Sequence, residues 1–160
     1  MIDLDDQATK DFLHSGCALL ISTVGRNGQP RAGRAWGLTV VDAEAGVLRL
    51  LLEADDPVTV ANVRAGHAIA VTATCVTDFQ SIQFKGRGLT VEDLTPADEA
   101  KRDQYSADFL QDVYLVNGYP MDVMQRWAGR PVVPCHVVVD SAFDQTPGPS
   151  AGVAIDRGNA

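Results

Sequence analysis

Two arginines in the first third of the chain have the chemistry to hold a phosphate or carboxylate group. Arg31 and Arg34 lie in a predicted β-strand over residues 31–41, and a planar guanidinium grips such anions with paired hydrogen bonds. Side chains three apart on a strand point to opposite faces, so only one of the two is expected to face a given groove. Trp36 shares the face of Arg34, where it either flanks a flat aromatic ligand or is buried in the core or at a dimer interface.

A second group of polar residues surrounds the start of a predicted short helix. Pro57 suits the first helical position, and either Asp55 or Asp56 can cap the helix. A helix N-terminus attracts anions through its free N–H groups and its dipole. We therefore expect Thr59 to donate its hydroxyl to a phosphate or to bond its own backbone. Asn62 is expected either to contact a ligand or to close a local backbone contact.

A third group lies on a predicted strand over residues 81–94. Gln83 and Lys85 are two residues apart and so share one face of that strand. Gln83 is the strongest single polar candidate for ligand binding, and the alternative is a cross-strand hydrogen bond on a solvated face. Lys85 supplies positive charge to this face unless Glu92 or Asp93 neutralises it.

Other reaction chemistries find little support in the sequence. Cys135 and His136 are adjacent on a predicted strand and point apart, which excludes a thiolate–imidazole pair. The histidines and cysteines lack the spacing of zinc ligands, so no metal site is predicted. No Ser–His–Asp arrangement and no catalytic acid or base can be assigned. A single histidine as an axial haem ligand stays open as an alternative, although nothing selects which one.

The elements that carry these residues are those of a mainly β fold. Short runs of β-branched and aliphatic residues alternate with turn signals such as Asn27-Gly28, which suits a tight hairpin. Strands are predicted over residues 17–24, 31–41, 47–53, 68–77, 81–94 and 131–143. Helices are predicted over residues 5–14, from Pro57, over residues 95–115 and over residues 119–128. Three strands in meander order, a brief helix and further strands predict a closed β-barrel with peripheral helices, and such barrels hold ligands at the rim or at a dimer seam.

Length and composition limit the classes of protein to consider. The 160 residues suit one domain over residues 1–144, followed by an irregular tail over residues 145–160 that begins with a Pro- and Gly-rich stretch. A net charge of −8 argues against nucleic acid, whose binding depends on Lys and Arg releasing counterions. No apolar run approaches the roughly 20 residues of a membrane span. Three scattered cysteines and an acidic start without the pattern of a signal peptide indicate the cytoplasm.

Several short motifs give the chain a family resemblance. They are Pro30-Arg31 after the Asn-Gly turn, the segments 57–64 and 68–72, Gln83 to Gly86, and Gln145 to Pro149. In this order they resemble the pyridoxamine 5′-phosphate oxidase-like, FMN-binding split-barrel proteins. The resemblance implies a split β-barrel and a homodimer that binds FMN in two grooves at the subunit interface. It also allows a deazaflavin, haem or no cofactor at all, as in some relatives.

The resemblance also implies roles for the candidate residues. In flavin-binding members a basic residue shortly before the asparagine of the short helix, with an arginine on a neighbouring strand, holds the cofactor phosphate. Here residues 53–61 contain no Lys or Arg and three acids instead, and like charges about 4 Å apart repel by about 4 kcal/mol at a dielectric constant of about 20. Arg31, Arg34 or Arg64 would have to replace the missing base, and Gln83 would reach the cofactor.

The leading prediction is a flavin-type oxidoreductase in which FMN lies at a dimer interface and the protein supplies orientation and electrostatics. The predicted cofactor-binding residues are Arg31, Arg34, Trp36, Thr59, Asn62, Gln83 and Lys85. The alternative is a non-catalytic or cofactor-free split-barrel binding protein that has lost the phosphate clamp. The acids at Glu53, Asp55 and Asp56 favour that alternative.

Overall fold

Six antiparallel strands form a closed barrel in the computed structural model, which describes residues 4–155. The strands are β1 (Ala18–Val24), β2 (Pro30–Asp42), β3 (Val47–Glu53), β4 (Ala68–Thr74), β5 (Ser81–Val91) and β6 (Val132–Asp144). They are arranged in the order β3-β2-β1-β4-β5-β6, and pairing of β3 with β6 closes the barrel. A two-residue strand, β7 (Ala154–Ile155), adds to the end of β6. The mainly β, split-barrel prediction is confirmed.

The helices pack around this barrel. They are α1 (Gln7–His14), α2 (Pro57–Arg64), α3 (Pro96–Asn117) and α4 (Met121–Met124), with a 3₁₀ turn directly after α4 (Gln125–Trp127). Thr95 and Asp98 form a reciprocal capping box at the start of α3, and Gly118 ends that helix in the left-handed conformation. The single helix predicted over residues 119–128 is instead a short α-helix that tightens into 3₁₀ geometry.

Two predicted strands end three residues early. β4 stops at Thr74 because residues 75–80 form a turn, in which the Cys75 N–H donates to the Gln80 carbonyl and Phe79 has a positive φ. β5 stops at Val91, since the next residues lead directly into the cap of α3.

The core has two parts, one inside the barrel and one outside it. Leu19, Ile21 and Phe84 belong to the barrel interior and are at most 3% exposed. A second cluster packs α3 and α4 against the outer side of β2 and β3, and it consists of Trp36, Leu51, Phe109, Leu110, Met124 and Val132. α2 contributes Val60 and Val63 to the barrel core and lies mainly against β5. The helices therefore cover one flank and one end of the barrel.

The opposite flank of the barrel is an open sheet face. Leu20 is 53% exposed at its centre, and strand register places it between Arg34 of β2 and Thr72 of β4. Thr72 in turn pairs with Gln83 of β5, and Lys85 follows two residues later. We define the open sheet face by the outward residues of these four strands, namely Leu20, Ser22, Val24, Ala32, Arg34, Ala70, Thr72, Gln83, Lys85 and Arg87.

The predicted C-terminal tail lies against its own chain over the part that is described. Gln145 donates its N–H to the Ser81 carbonyl, and Ser150 donates its hydroxyl to Asp144. Glycine-containing turns then lead into β7. Residues 156–160 of the tail and residues 1–3 of the acidic N-terminus lie outside the described residues.

Candidate functional site

Asp56 is the centre of the polar cluster at the start of α2. It caps the helix by accepting hydrogen bonds from the Thr59 N–H (3.3 Å) and the Thr59 hydroxyl (2.6 Å). Its carboxylate also forms an ion pair with the Arg31 guanidinium at 3.0 Å, and its side chain is only 8% exposed. Burial raises the pKa of Asp56, but the Thr59 hydrogen bonds and the charge of Arg31 outweigh burial and lower the pKa below its usual value. Asp56 is therefore ionised at neutral pH.

The same cluster accounts for three predicted cofactor-binding residues. Arg31 and Thr59 are brought together, but each binds the Asp56 carboxylate. Asn62 is buried and donates its amide to the Thr23 hydroxyl at 2.9 Å, which ties α2 to β1. The groups that would hold an anion at this helix end are thus engaged by an anion that belongs to the chain.

The space beside the helix end is filled as well. A Cβ atom built on Gly33 of β2 would lie 2.7 Å from Asp56 Oδ2 and 3.3 Å from Thr59 Oγ1. The carboxylate therefore lies directly against the backbone of β2 and occupies the space over Gly33. The phosphate of FMN does not fit at the N-terminus of α2 while Asp56 holds this position.

The two other acids of the 53–56 segment have different partners. Glu53 accepts a hydrogen bond from the Trp36 indole N–H at 2.9 Å. Asp55 lies 3.4 Å from Arg130, which also approaches Glu53 at 3.8 Å. Sequence reasoning missed Arg130, since it follows the helical segment after β5 and only the closed barrel brings it to this end.

Trp36 and Arg34 lie together at the edge of the open sheet face. The Arg34 guanidinium carbon is 5.8 Å from the centre of the Trp36 ring. Trp36 itself is 5% exposed and packs edge-to-face against Phe109 of α3 with ring centres 5.9 Å apart. The cavity beside this pair is only about 10 Å³, roughly one water molecule. The structure thus places Trp36 in a packed core and leaves Arg34 exposed.

Gln83 and Lys85 lie on the open sheet face as the alternation of β5 requires. The Gln83 amide donates across the strands to the Thr72 hydroxyl at 3.0 Å. The Lys85 ammonium lies 4.4 Å from the centre of the Phe143 ring. The alternative that Glu92 neutralises Lys85 does not hold, because Glu92 pairs with Arg49 and with His136 on the side of the barrel that α3 begins to cover.

The charges of the open sheet face are all of one sign. Arg34, Lys85 and Arg87 have no ion pair within residues 4–155. Sequence reasoning missed Arg87, although its position two residues after Lys85 places it on the same face of β5. The platform between these cations is uncharged and consists of Leu20, Ser22, Val24, Ala32, Ala70, Thr72 and Gln83. The open sheet face therefore attracts anions, although the chain has a net charge of −8.

A further polar cluster joins β3 to the start of α3. Arg49 donates two hydrogen bonds to Asp98, at 2.8 and 2.9 Å, and also contacts Glu92. The Arg49 hydrogen bonds lower the pKa of Asp98 to about 2 although burial opposes them. Arg49 and Asp98 line a cleft of about 330 Å³, together with Thr39 and Lys101. None of the predicted site residues lines this cleft, and its arginine is engaged by its own carboxylates.

Comparison with solved structures supports the fold. HupZ of Group A Streptococcus superposes with a TM-score of 0.52 at 18% identity, over 95% of this chain and 100% of that one. A variant of HupZ with a single alanine substitution gives a TM-score of 0.50 at 18% identity, over 87% and 98% of the two chains. A pyridoxamine 5′-phosphate oxidase-related, FMN-binding protein of Nostoc punctiforme is similar at a TM-score of 0.43 and 16% identity, over 93% and 94%. No protein-family model and no curated protein matches the sequence.

These similarities concern the fold of the chain. The HupZ superposition spans nearly the whole molecule, so the resemblance that the sequence motifs predicted is confirmed at the level of the split-barrel fold. Among the described residues, no helix has the length and apolar character needed to cross a membrane.

Proposed function

We propose that this split-barrel chain forms a homodimer that binds a flat, anionic cofactor of the flavin class, FMN or a deazaflavin, on the open sheet face and acts as an oxidoreductase. One observation supports this most: an otherwise acidic chain has an uncharged platform bordered by Arg34, Lys85 and Arg87, none of which forms an ion pair within the described chain. A planar heterocycle with a negative tail matches that combination of shape and charge.

Side chains of the platform suit the ring of such a cofactor. Leu20 and Ala70 offer apolar contact, and Leu20 is half exposed at the centre of the platform. Gln83 uses its amide N–H for Thr72, and its carbonyl oxygen accepts no hydrogen bond within the described residues. That oxygen is therefore available to a ring N–H of the ligand. When bound, the flavin supplies the redox chemistry, and these residues bind and orient it.

A second copy of the chain is part of the proposal because one chain does not enclose a ligand on this face. The cavity next to Arg34 and Trp36 has room for about one water molecule. Binding sites for small molecules commonly bury 70–90% of the ligand surface, which a flat open sheet cannot do alone. Exposed Leu20 and Val24 on the same face also favour burial against a partner.

The α2 end of the barrel supports the second candidate, a split-barrel binding protein without a cofactor. Asp56 already neutralises Arg31 and fills the space over Gly33. If the open sheet face served only to form the dimer, this closed helix end would leave no anchor for a nucleotide-like cofactor.

Absorbance spectroscopy separates the candidates. The purified protein is loaded with excess FMN, or with a deazaflavin, and passed through gel filtration. We expect flavin absorbance to coelute with a species of twice the monomer mass, and titration to give micromolar affinity. A colourless protein that takes up neither cofactor overturns the flavin proposal in favour of the cofactor-free barrel. A Soret band after loading with haemin overturns it in favour of haem.

A further inference from the structure

We infer that Asp56 is an internal anion that closes the N-terminus of α2 to phosphate, so that the chain recognises its ligand without a phosphate contact at this helix. The part of the inference that concerns the cofactor depends on the proposed function. Recognition of the cofactor then depends on its ring and on the cations of the open sheet face. Asp56 is then a determinant of specificity rather than only a helix cap.

Comparison of two helix caps in this chain separates these roles. Asp6 caps α1 and accepts hydrogen bonds from the N–H (2.9 Å) and hydroxyl (3.2 Å) of Thr9, three residues later. Asp56 makes the same two contacts to Thr59. Only Asp56 adds an arginine, Arg31, and lies buried against a strand. An arginine together with free helix N–H groups is the arrangement that binds anions, and here the bound anion is a side chain.

Geometry and charge both keep a phosphate out. Asp56 Oδ2 lies 2.7 Å from where a Cβ on Gly33 would be, so the carboxylate already fills the space over this residue. The carboxylate is ionised at neutral pH, since hydrogen bonds from Thr59 and the charge of Arg31 outweigh the effect of burial on its pKa. A phosphate next to it would meet a like charge at contact distance and an arginine that is already paired.

The anionic part of a ligand must then lie elsewhere. Arg31 and Arg34 point to opposite faces of β2, and only Arg34 reaches the open sheet face. Arg34, Lys85 and Arg87 have no carboxylate partner in the described part of the chain. A phosphorylated cofactor therefore directs its phosphate to these cations, whereas one without phosphate loses nothing at α2.

Inorganic phosphate tests the closed helix end without any cofactor. Asp56→Ser keeps a capping side chain but removes the charge and the bulk over Gly33. At constant ionic strength, we expect about 10 mM phosphate to raise the thermal midpoint of Asp56→Ser in a saturable way and by more than that of the wild type, in which only the cations of the open sheet face can respond. Adding Arg31→Gln to Asp56→Ser should abolish this additional rise. Asp55→Ser, an exposed neighbour with the same change of charge, and Asp6→Ser, the matched cap without an arginine, should respond like the wild type.

A cofactor titration tests the consequence for specificity. We expect the ratio of FMN affinity to riboflavin affinity to increase at least tenfold from wild type to Asp56→Ser, and to stay unchanged in Asp55→Ser. An unchanged ratio in Asp56→Ser, with both flavins bound, overturns the inference.

The wild type alone also decides the question if Asp56→Ser does not fold. A saturable phosphate effect on the wild type that Arg31→Gln removes would show that the helix end is open and overturn the inference; its absence supports closure. If no variant binds any flavin, the proposed function fails. The phosphate titration still decides the role of Asp56 in that case, so the two failures are distinguishable.

Discussion

Gln83 makes a hydrogen bond across the strands and also lies on the proposed ligand-binding surface. Its amide is held by Thr72, so its carbonyl oxygen has a defined position on the open sheet face. We expect Gln83→Ala to weaken flavin binding about tenfold, equal to about 1.4 kcal/mol for a lost hydrogen bond. Fluorescence titration measures the dissociation constant of the flavin. Gln104→Ala, on the exposed side of α3, is the matched control and should bind like the wild type. Unchanged affinity in Gln83→Ala would remove Gln83 from the site.

Asp98 makes the free energy of unfolding depend on pH in the acidic range. Its pKa in the folded chain is lowered to about 2, mainly by hydrogen bonds from Arg49, whereas an unfolded aspartate titrates near pH 3.9. A lowered folded pKa means that its contribution is complete above about pH 4 and is lost as the pH falls toward 2. We expect Asp98→Asn to lower the free energy of unfolding by about 2 kcal/mol at pH 7 and to flatten this part of the acid dependence.

Urea unfolding at pH 7 and pH 3 measures both effects. Asp103→Asn, which removes an exposed partner of Arg102, is the control and should change the free energy of unfolding by less than about 0.5 kcal/mol. Equal pH dependence in wild type and Asp98→Asn would show that the Arg49 pair does not contribute to stability.

At the scale of elements, the contact between α2 and β5 depends on a glycine. A Cβ atom on Gly88 would lie 2.1 Å from the Val63 carbonyl oxygen, so any larger residue separates the helix from the strand. We expect Gly88→Ala to lower the free energy of unfolding by about 3 kcal/mol, measured by urea unfolding. Gly25→Ala is the control, because its nearest neighbour is the movable side chain of Asn27. A loss below about 0.5 kcal/mol in Gly88→Ala would contradict this close packing.

Prediction of the elements succeeded where the local signal was strong. The run of β-branched residues in β4 and the Thr95–Asp98 cap of α3 are local patterns, and both elements formed at their predicted starts. The predicted helix over residues 119–128 failed at its end because Gln125–Trp127 tightened into a 3₁₀ turn, with Met124 buried in the second core cluster. Met124 shares that cluster with Trp36 and Leu51, which are distant in sequence, so the local pattern does not contain these contacts.

At the scale of the whole molecule, the open sheet face is the surface that the proposed dimer would bury. We expect Leu20→Asp to place a charge at its centre, to shift the protein from dimer to monomer and to weaken flavin binding at least tenfold, since the ligand loses its cover. Sedimentation equilibrium measures the mass. Val41→Asp, which adds the same charge at an equally exposed position near the far end of β2, should remain dimeric. A Leu20→Asp protein of unchanged mass would place the interface elsewhere.

The candidate site could be predicted in part. Alternation along β2 and β5 correctly separated Arg31 from Arg34 and placed Gln83 beside Lys85 on one face. The partners of these residues could not be predicted in the same way. Arg130 reaches Glu53 and Asp55 only because the barrel closes, and Glu92 turns to Arg49 rather than Lys85 for the same reason.

The sequence by itself determined the strands, the helix caps and the general fold, because these depend on side-chain periodicity and on hydrogen bonds within a few residues. It also placed an acid at the start of α2, with no base nearby in sequence to balance it. Only the tertiary structure decided that Asp56 faces Arg31 and fills the space over Gly33, since these residues are more than twenty positions apart and meet only when β2 packs beside α2. Long-range packing therefore determined which charges are paired and which stay free to meet a ligand.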